Sequence, residues 1–177
     1  MSSAVKKIWD VFTTVIVVIL AILAILLVGV RFIGLTPYSV LSGSMEPTYM
    51  TGSLIYVKEV DSADLKSGDV ITFLLDDTTT ATHRIVKVIP DEKDKSVVRF
   101  QTKGDANEIV DSQLVHSSNV LGTPVASIPQ LGYFAMYIQT VEGRYASAIV
   151  GAILLILIFI PDILKSDSKI KEKVDII

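Results

Sequence analysis

The sequence predicts a mainly β domain, an antiparallel sheet of barrel-like form, flanked by an N-terminal and a C-terminal transmembrane helix. Two apolar runs lie near the ends of the chain, and short stretches rich in Val, Ile, Thr and aromatic residues lie between them. Half of the 177 residues are hydrophobic and the mean hydropathy is +0.55. These values are typical of a membrane protein rather than a soluble one.

The first apolar run, Val11 to Val30, has 20 positions broken only by Thr13, Thr14 and Gly29. At about 1.5 Å per residue, a helix of this length crosses a hydrocarbon core of about 30 Å. A cleaved signal peptide would have a shorter apolar region followed by small residues, and "VRFIGLTPY" lacks that cleavage pattern. The run therefore predicts a transmembrane helix.

The second run, Tyr145 to Ile160, has 16 residues and is followed by Pro161 and Asp162. Continued to Leu164, a helix here also reaches about 30 Å. We predict a second membrane span, with a buried or surface-lying helix as the alternative because short runs are ambiguous.

Lysines precede the first run and follow the second, so both chain ends are predicted to be cytoplasmic. The sequence therefore predicts a multi-pass protein of the cell membrane, in contact with lipid. The predicted boundaries are 1–10 for the cytoplasmic N-terminus, 11–31 for the first transmembrane helix, 32–144 for the extracytoplasmic domain, 145–164 for the second helix and 165–177 for a cytoplasmic tail.

The middle of the chain alternates between strand-like and turn-like stretches, and no helical period of adequate length occurs from Gly34 to Gln130. One of the predicted turns is "PDEKDK" (90–95). The predicted strands are Ser53 to Val60, Asp69 to Leu75, Thr82 to Ile89, Ser96 to Gly104 and Asn119 to Ile128.

Composition excludes several functions. Residues 31–145 carry 10 Lys and Arg against 14 Asp and Glu, a net charge of −4, so no basic surface for nucleic acid is expected. The chain has no cysteine, which rules out disulfides, thiolate catalysis and cysteine zinc sites.

One candidate nucleophile follows the first apolar run, in "YSVLSGSMEPTYMTG". Ser44 lies in an irregular, glycine-containing segment ended by Pro47, where a bend can present its hydroxyl, and Ser42 offers a second hydroxyl donor. A serine nucleophile needs a base, a group that orients the base and donors for the oxyanion. An ordinary turn is the alternative for this short motif.

Histidine or lysine can activate such a serine. His83 begins the strand-like "THRIVKVI" and is predicted to share a sheet face with Ile85 and Lys87, whereas His116 lies in a polar loop and is interpreted as structural or exposed. Asp105 and Asp111, in "TKGDANEIVDSQLV", are the candidates for orienting the base, with turn capping as the alternative.

Four boxes together resemble type I signal peptidases, in the branch found in the endoplasmic reticulum, archaea and some Gram-positive bacteria. The resemblance covers roughly Val40 to Ile128, and four ordered boxes are far more specific than any one of them. The boxes are "SGSMEPT" (Ser42 to Thr48), "SGDVITF" (Ser67 to Phe73), "THRIVKV" (Thr82 to Val88) and "TKGDANEIVD" (Thr102 to Asp111).

The resemblance implies a membrane-bound serine endopeptidase that removes signal peptides from exported precursors after small residues, without metal or organic cofactor. It implies Ser44 as nucleophile, its N–H and the Ser42 hydroxyl as oxyanion donors, and His83 as base. Asp111 is then favoured as the group on the imidazole and Asp105 as a support of the site, although Ala106 replaces a more usual asparagine. The precursors are the expected partners, and accessory subunits stay an open question.

Two other functions are compatible with parts of the pattern. A Ser/Lys peptidase of the self-cleaving repressor type would use Lys87 or Lys66 as base. A non-catalytic, membrane-anchored β module would bind partners at the outer surface.

Overall fold

The computed structural model describes residues 3–91 and 97–174, and from residue 159 onward it describes only the backbone. Leu23–Met136 form one compact unit, which contains every strand and all candidate site residues. The second unit consists of the chain up to Ile22 together with the chain from Tyr137 onward.

The sheet has seven strands in the order β1-β2-β7-β3-β4-β5-β6, and every neighbouring pair is antiparallel. It curls into a half-barrel. The prediction of a mainly antiparallel β domain is therefore confirmed. The strands are β1 (Leu35–Ser39), β2 (Leu54–Lys58), β3 (Val70–Leu74), β4 (Thr80–Pro90), β5 (Val98–Lys103), β6 (Val115–His116) and β7 (Val120–Ile128).

All five predicted strands are present, but β1 and β6 were not predicted. β1 contains Pro37, a residue that argues against a strand except at an edge, and β1 is the edge strand beside β2. β6 has only two residues, too few for a period-2 pattern. Residues 92–96, which include most of the predicted "PDEKDK" turn and the predicted strand start at Ser96, lie outside the described residues.

Two apolar clusters hold the sheet. The first lies under β3 to β6 and includes Ile71 and Phe100, both fully buried. Burying such a side chain contributes about 1.5–3 kcal/mol, so β4 and β5, which carry site residues, are firmly anchored. The second cluster joins Leu54 and Tyr56 of β2 to Ala135 and to residues at the end of the first helix.

The prediction that Lys87 shares a sheet face with His83 and Ile85 is wrong. Ile85 is opposite Thr102 and Lys87 is opposite Gln101, so β4 has a bulge between them. A bulge adds one residue and reverses the alternation that follows it. Val88, rather than Lys87, therefore packs with Ile85 against the core.

The first helix, α1 (Ser3–Leu27), begins earlier than predicted and is followed by a 3-10 turn at Gly29–Ile33. Residues 3–10 contain no glycine or proline to stop the helix. Within the described residues, Ala4–Leu27 is the one stretch long and apolar enough to cross a membrane. Thr13 and Thr14 donate their hydroxyls to carbonyls one turn earlier, which suits an apolar surrounding.

The last turn of α1 belongs to the same unit as the sheet. The Tyr56 hydroxyl donates to the carbonyl of Leu26 at 2.9 Å, and Leu27 packs in the second apolar cluster. A short helix, α2 (Leu131–Tyr137), packs there too, through Leu131 and Ala135. Two aromatic side chains of α2, Tyr133 and Phe134, are exposed.

The last helix, α3 (Val141–Val174), contains the second apolar run and continues past Pro161. A small cavity between α3 and α1, within their common unit, is lined by Trp9, Phe12, Thr13, Ile16, Leu154 and Ile158. Whether α3 spans a membrane stays a prediction.

Candidate active site

Ser44 lies on a single 3-10 turn, Gly43–Met45, that follows β1. The turn is closed by the hydrogen bond from the Glu46 N–H to the Gly43 carbonyl at 3.0 Å. Met45 is only 2% exposed, so it anchors the turn in the domain while Ser44 stays partly accessible. The bend expected from the sequence therefore exists, and it presents the Ser44 hydroxyl.

His83 lies on β4, opposite Ile71 of β3. Its ring stands edge-on to Phe73, with the ring centroids 6.3 Å apart. Nε2 of His83 is 3.2 Å from the Ser44 hydroxyl oxygen. The histidine is thus held on a rigid strand, with one ring nitrogen within hydrogen-bond reach of the serine.

Asp111 faces the other ring nitrogen of His83. Nδ1 is 2.6 Å from Oδ2 of Asp111. Because an ionised carboxylate only accepts hydrogen bonds, this contact places the proton on Nδ1 and leaves the Nε2 lone pair toward Ser44. The side chains of His83 and Asp111 are 15% and 25% exposed, so water competes weakly for the contact.

Asp105 does not contact the imidazole. It accepts two hydrogen bonds from Arg84, from Nε at 2.8 Å and from a terminal nitrogen at 2.6 Å, and a third from the Thr48 hydroxyl. The bonds from Arg84, together with that from Thr48, hold the pKa of Asp105 below its ordinary value against the opposing effect of burial. The structure therefore separates the two acidic residues, Asp111 on His83 and Asp105 on Arg84.

Replacing Asp105 by asparagine should lower the free energy of unfolding by about 1 kcal/mol at neutral pH, since Arg84 is 38% exposed and water screens the pair. Because the pKa is lowered on folding, the ionised carboxylate stabilises the fold above the unfolded pKa of about 3.9, and this contribution is lost as the pH falls through the folded pKa. Denaturant unfolding from pH 8 to pH 3 checks this. A difference between the two proteins that stayed constant down to pH 3 would contradict it.

The serine turn and the acidic loop are joined through their backbones. The Ala106 N–H donates to the Ser44 carbonyl at 2.9 Å. A Cβ built on Gly104 would lie 2.5 Å from that same carbonyl oxygen and 2.8 Å from Nδ2 of Asn107. Only glycine allows this approach, so Gly104 helps to define where Ser44 lies.

Substituting Gly104 by alanine should therefore push the Ser44 turn away from His83. We expect the rate of precursor cleavage to fall at least about 100-fold, because a displacement near 1 Å can have that effect. We also expect the free energy of unfolding to fall by about 1–3 kcal/mol. Gly151→Ala is the control, since an added Cβ there meets nothing within 4 Å. Cleavage assays and denaturant unfolding measure both effects, and an unaltered Gly104→Ala protein would refute the argument.

The Ser42 hydroxyl oxygen is 3.3 Å from that of Ser44, and both serines line a cleft of about 660 Å³. Its lining includes residues 38–42, at the end of the edge strand β1 and directly after it, and residues 78–82, before and at the start of β4. Apolar side chains contribute as well, among them the buried Met45 and Ile55. The cleft therefore leads along an open strand edge to Ser44.

The second histidine and two further aspartates lie elsewhere. His116 accepts from the Ser118 N–H and caps a short turn. Asp69 accepts from the Lys66 N–H in a turn. Asp76 accepts from the N–H groups of Thr78 and Thr79, which lower the pKa of Asp76 to about 2. Among described residues, the ring of His83 is the basic side chain in contact with Ser44, and Lys66 and Lys87 do not line the cleft.

Sequence reasoning missed three polar residues of this region, Thr102, Arg84 and Thr48. Each lies inside a recognised box. The sequence does not show, however, which groups their hydroxyl or guanidinium side chains contact. For Thr102 a signal existed: it shares the inward alternation of Phe100, which marks a buried polar group. Within the described part of the chain, no three His, Cys, Asp or Glu side chains are grouped as metal ligands.

Comparison with known proteins identifies the family. A family model described as signal peptidase, peptidase S26, matches residues 11–99, half of the chain. Signal peptidase I W of Bacillus subtilis is 46% identical over 113 residues, which are 62% of this chain and 58% of that protein. The human signal peptidase complex catalytic subunit SEC11C is 30% identical over 127 residues, 66% of this chain and 65% of that protein.

A fungal relative, the signal peptidase complex catalytic subunit SEC11 of Eremothecium gossypii, is 31% identical over 126 residues, 66% of this chain and 72% of that protein. The matched segment spans less than two thirds of the length of the Bacillus and human relatives. The family model covers the first three of the four boxes, and these relatives are signal peptidases as well. The chain belongs to the peptidase S26 family of signal peptidases.

Proposed function

We propose that the protein is a membrane-bound serine endopeptidase of the signal peptidase I type, which removes signal peptides from exported precursors. The observation that carries the proposal is the continuous chain of contacts from Ser44 through His83 to Asp111, 3.2 Å and 2.6 Å long. It supplies a nucleophile, a base and an orienting carboxylate within reach of a cleft.

In the first half of the reaction, Nε2 of His83 accepts the Ser44 proton while the serine oxygen attacks the scissile carbonyl carbon. The resulting imidazolium donates its Nδ1–H to Asp111, which stabilises the positive charge. Collapse of the tetrahedral intermediate breaks the C–N bond, and the Nε2 proton passes to the leaving amine. An acyl-enzyme on Ser44 remains.

In the second half, His83 takes a proton from water, the hydroxide attacks the acyl carbonyl, and Ser44 recovers its proton as the signal peptide leaves. The developing oxyanion is assigned to the Ser44 N–H and the Ser42 hydroxyl. In the free enzyme the Ser42 oxygen lies 3.3 Å from that of Ser44, so rotation of its hydroxyl hydrogen toward the substrate suffices. These steps are carried entirely by side chains and backbone of this chain.

The substrate is an extended segment with a small residue before the scissile bond. Support comes from the cleft, which runs between the edge of β1 and the start of β4, since an extended peptide can pair with an open strand edge. The preference for small residues is taken from the family resemblance.

The proposed location is the cell membrane, with the β domain on the extracytoplasmic side. The apolar helix α1 supports anchoring, and the bond from Tyr56 to the Leu26 carbonyl keeps its last turn beside the sheet. We propose α3 as a second span, because its residues Leu154 and Ile158 share a cavity with Trp9 near the start of α1. Two antiparallel spans would put both chain ends on one side, and the flanking lysines favour the cytoplasmic side.

The two SEC11-type relatives are named as subunits of a complex, whereas the name of the Bacillus relative, signal peptidase I W, mentions no complex. The side chains proposed to act here all come from a single chain, so we propose that cleavage itself needs no second subunit.

The test uses the full chain, purified in detergent and mixed with a precursor that carries an Ala-x-Ala site. Cleavage after the second alanine is expected, and Ser44→Ala should abolish it. Ser62→Ala is the control, because Ser62 lies on a surface turn and does not line the cleft. A wild-type protein without cleavage would favour the non-catalytic β module, and cleavage that survives Ser44→Ala would refute the assigned nucleophile.

The orientation is tested by adding protease to intact cells or sealed vesicles. The segment "DDTTTA" (76–81), whose residues 76–79 form an exposed turn before β4, should be cut only from the extracytoplasmic side. Cutting only from the cytoplasmic side would place the cleft in the wrong compartment and refute the export function.

A further inference from the structure

We propose that Thr102 is a positioning residue for this reaction and acts through Asp111; the inference rests on the function proposed above. The Thr102 hydroxyl donates to Oδ2 of Asp111 at 2.6 Å. This is the same oxygen that receives Nδ1–H of His83, also at 2.6 Å. Two donors from two different strands therefore converge on one carboxylate oxygen.

The carboxylate needs such support because Asp111 belongs to no strand or helix. Its neighbour Ile109 is 79% exposed, so the loop has little packing of its own at that point. Thr102 lies on β5 and binds the loop twice, through its hydroxyl and through its carbonyl, which accepts the Asp111 N–H at 2.8 Å. Thr102 thus ties the position of a loop carboxylate to the sheet.

Burial makes the contact obligatory. Thr102 is fully buried, and buried hydroxyls in folded proteins are almost always hydrogen-bonded. Within the described residues, the partner of this hydroxyl is Asp111. The hydroxyl therefore holds the carboxylate in one rotamer, with Oδ2 toward the imidazole. Without it the carboxylate can turn, and His83 loses its fixed tautomer and orientation.

Kinetics of precursor cleavage provide the first test. Thr102→Val keeps the shape and removes the donor, so we expect kcat to fall about 10- to 100-fold, the usual effect of losing a hydrogen bond to a charged group, while KM changes less than about twofold. Thr102→Ser keeps the donor and should retain most of the activity. Thr72→Val removes another buried hydroxyl, one bonded to Thr82 at 2.8 Å, and should leave kcat near that of wild type.

A double-mutant cycle with Asp111→Asn separates positioning from general loss of structure. If Thr102 acts through the carboxylate, Thr102→Val should change kcat little once Asp111 is asparagine. An equal fall in both backgrounds, or a wild-type kcat for Thr102→Val alone, would overturn the inference. Thr102→Ala replaces Thr102→Val in every arm if the valine variant does not fold.

A second readout does not depend on cleavage, so the inference stays testable even if the proposed function fails. The chain has only two histidines, and NMR of protein with ¹⁵N-labelled histidine therefore resolves His83 against His116 as an internal reference. We expect the His83 Nδ1–H of Thr102→Val to exchange with water faster than in wild type and in Thr72→Val. Unchanged exchange would overturn the inference, whatever the precursor assay shows.

Discussion

Replacing His83 by alanine is expected to lower kcat/KM for precursor cleavage by about 10,000-fold or more. The Ser44 hydroxyl then loses the base that lies 3.2 Å from it, and an unactivated hydroxyl is a poor nucleophile. The residual rate reports the oxyanion donors and substrate binding alone. The effect is measured in a discontinuous cleavage assay with the full chain in detergent. The assay is run long enough to detect the low residual rate.

The same assay decides between a histidine and a lysine base. His116→Ala, Lys66→Ala and Lys87→Ala are each expected to keep near wild-type kcat/KM, because none of these side chains lines the cleft. Activity that survives His83→Ala and disappears with one of the lysine changes would refute the Ser/His mechanism and favour the Ser/Lys type.

Replacing Asp111 by asparagine should lower kcat by about 10,000-fold with little change in the fold. An amide can present its NH₂ group to Nδ1, which favours the tautomer with the proton on Nε2, and that nitrogen then cannot accept the Ser44 proton. Circular dichroism and denaturant unfolding of the variant establish that it is folded, and single-turnover cleavage measures kcat.

Asp105→Asn is the matched comparison, because the two acids lie in one loop and differ in their contacts. Asp105 binds Arg84 and Thr48 rather than His83. The Asp105→Asn change should therefore lower the free energy of unfolding but leave kcat of the folded protein near that of wild type. If Asp105→Asn proved as inactive as Asp111→Asn while fully folded, the division of labour between the two carboxylates would be wrong.

Much of the fold follows from local patterns. Five strands could be predicted because their Val, Ile, Thr and aromatic residues alternate between recognisable turns. β1 could not, since its Pro37 disfavours a strand and only the edge position tolerates it. The face of Lys87 was predicted wrongly because a one-residue bulge depends on the partner strand, which a single strand's sequence does not reveal.

The members of the proposed site could be named from the sequence, but most of their contacts could not. Ser44, His83, Asp105 and Asp111 were proposed from three of the four boxes. The family resemblance favoured Asp111 as the partner of His83, but nothing in the sequence indicated that Asp105 binds Arg84. The contacts depend on β4, in which the consecutive residues His83 and Arg84 point to opposite faces of the sheet. Each side chain therefore meets a different part of the acidic loop. The alternation with Phe100 indicates that Thr102 is buried, but its contact with Asp111 depends on tertiary structure.

The bond from the Ala106 N–H to the Ser44 carbonyl, together with the tight space at Gly104, has a consequence for engineering. The two segments behave as a matched pair, so neither can be exchanged alone. A chimera that takes the serine segment from a relative should keep its geometry only if it takes the acidic segment from that same relative. We therefore expect a chimera to stay active only if the boxes "SGSMEPT" and "TKGDANEIVD" are exchanged together.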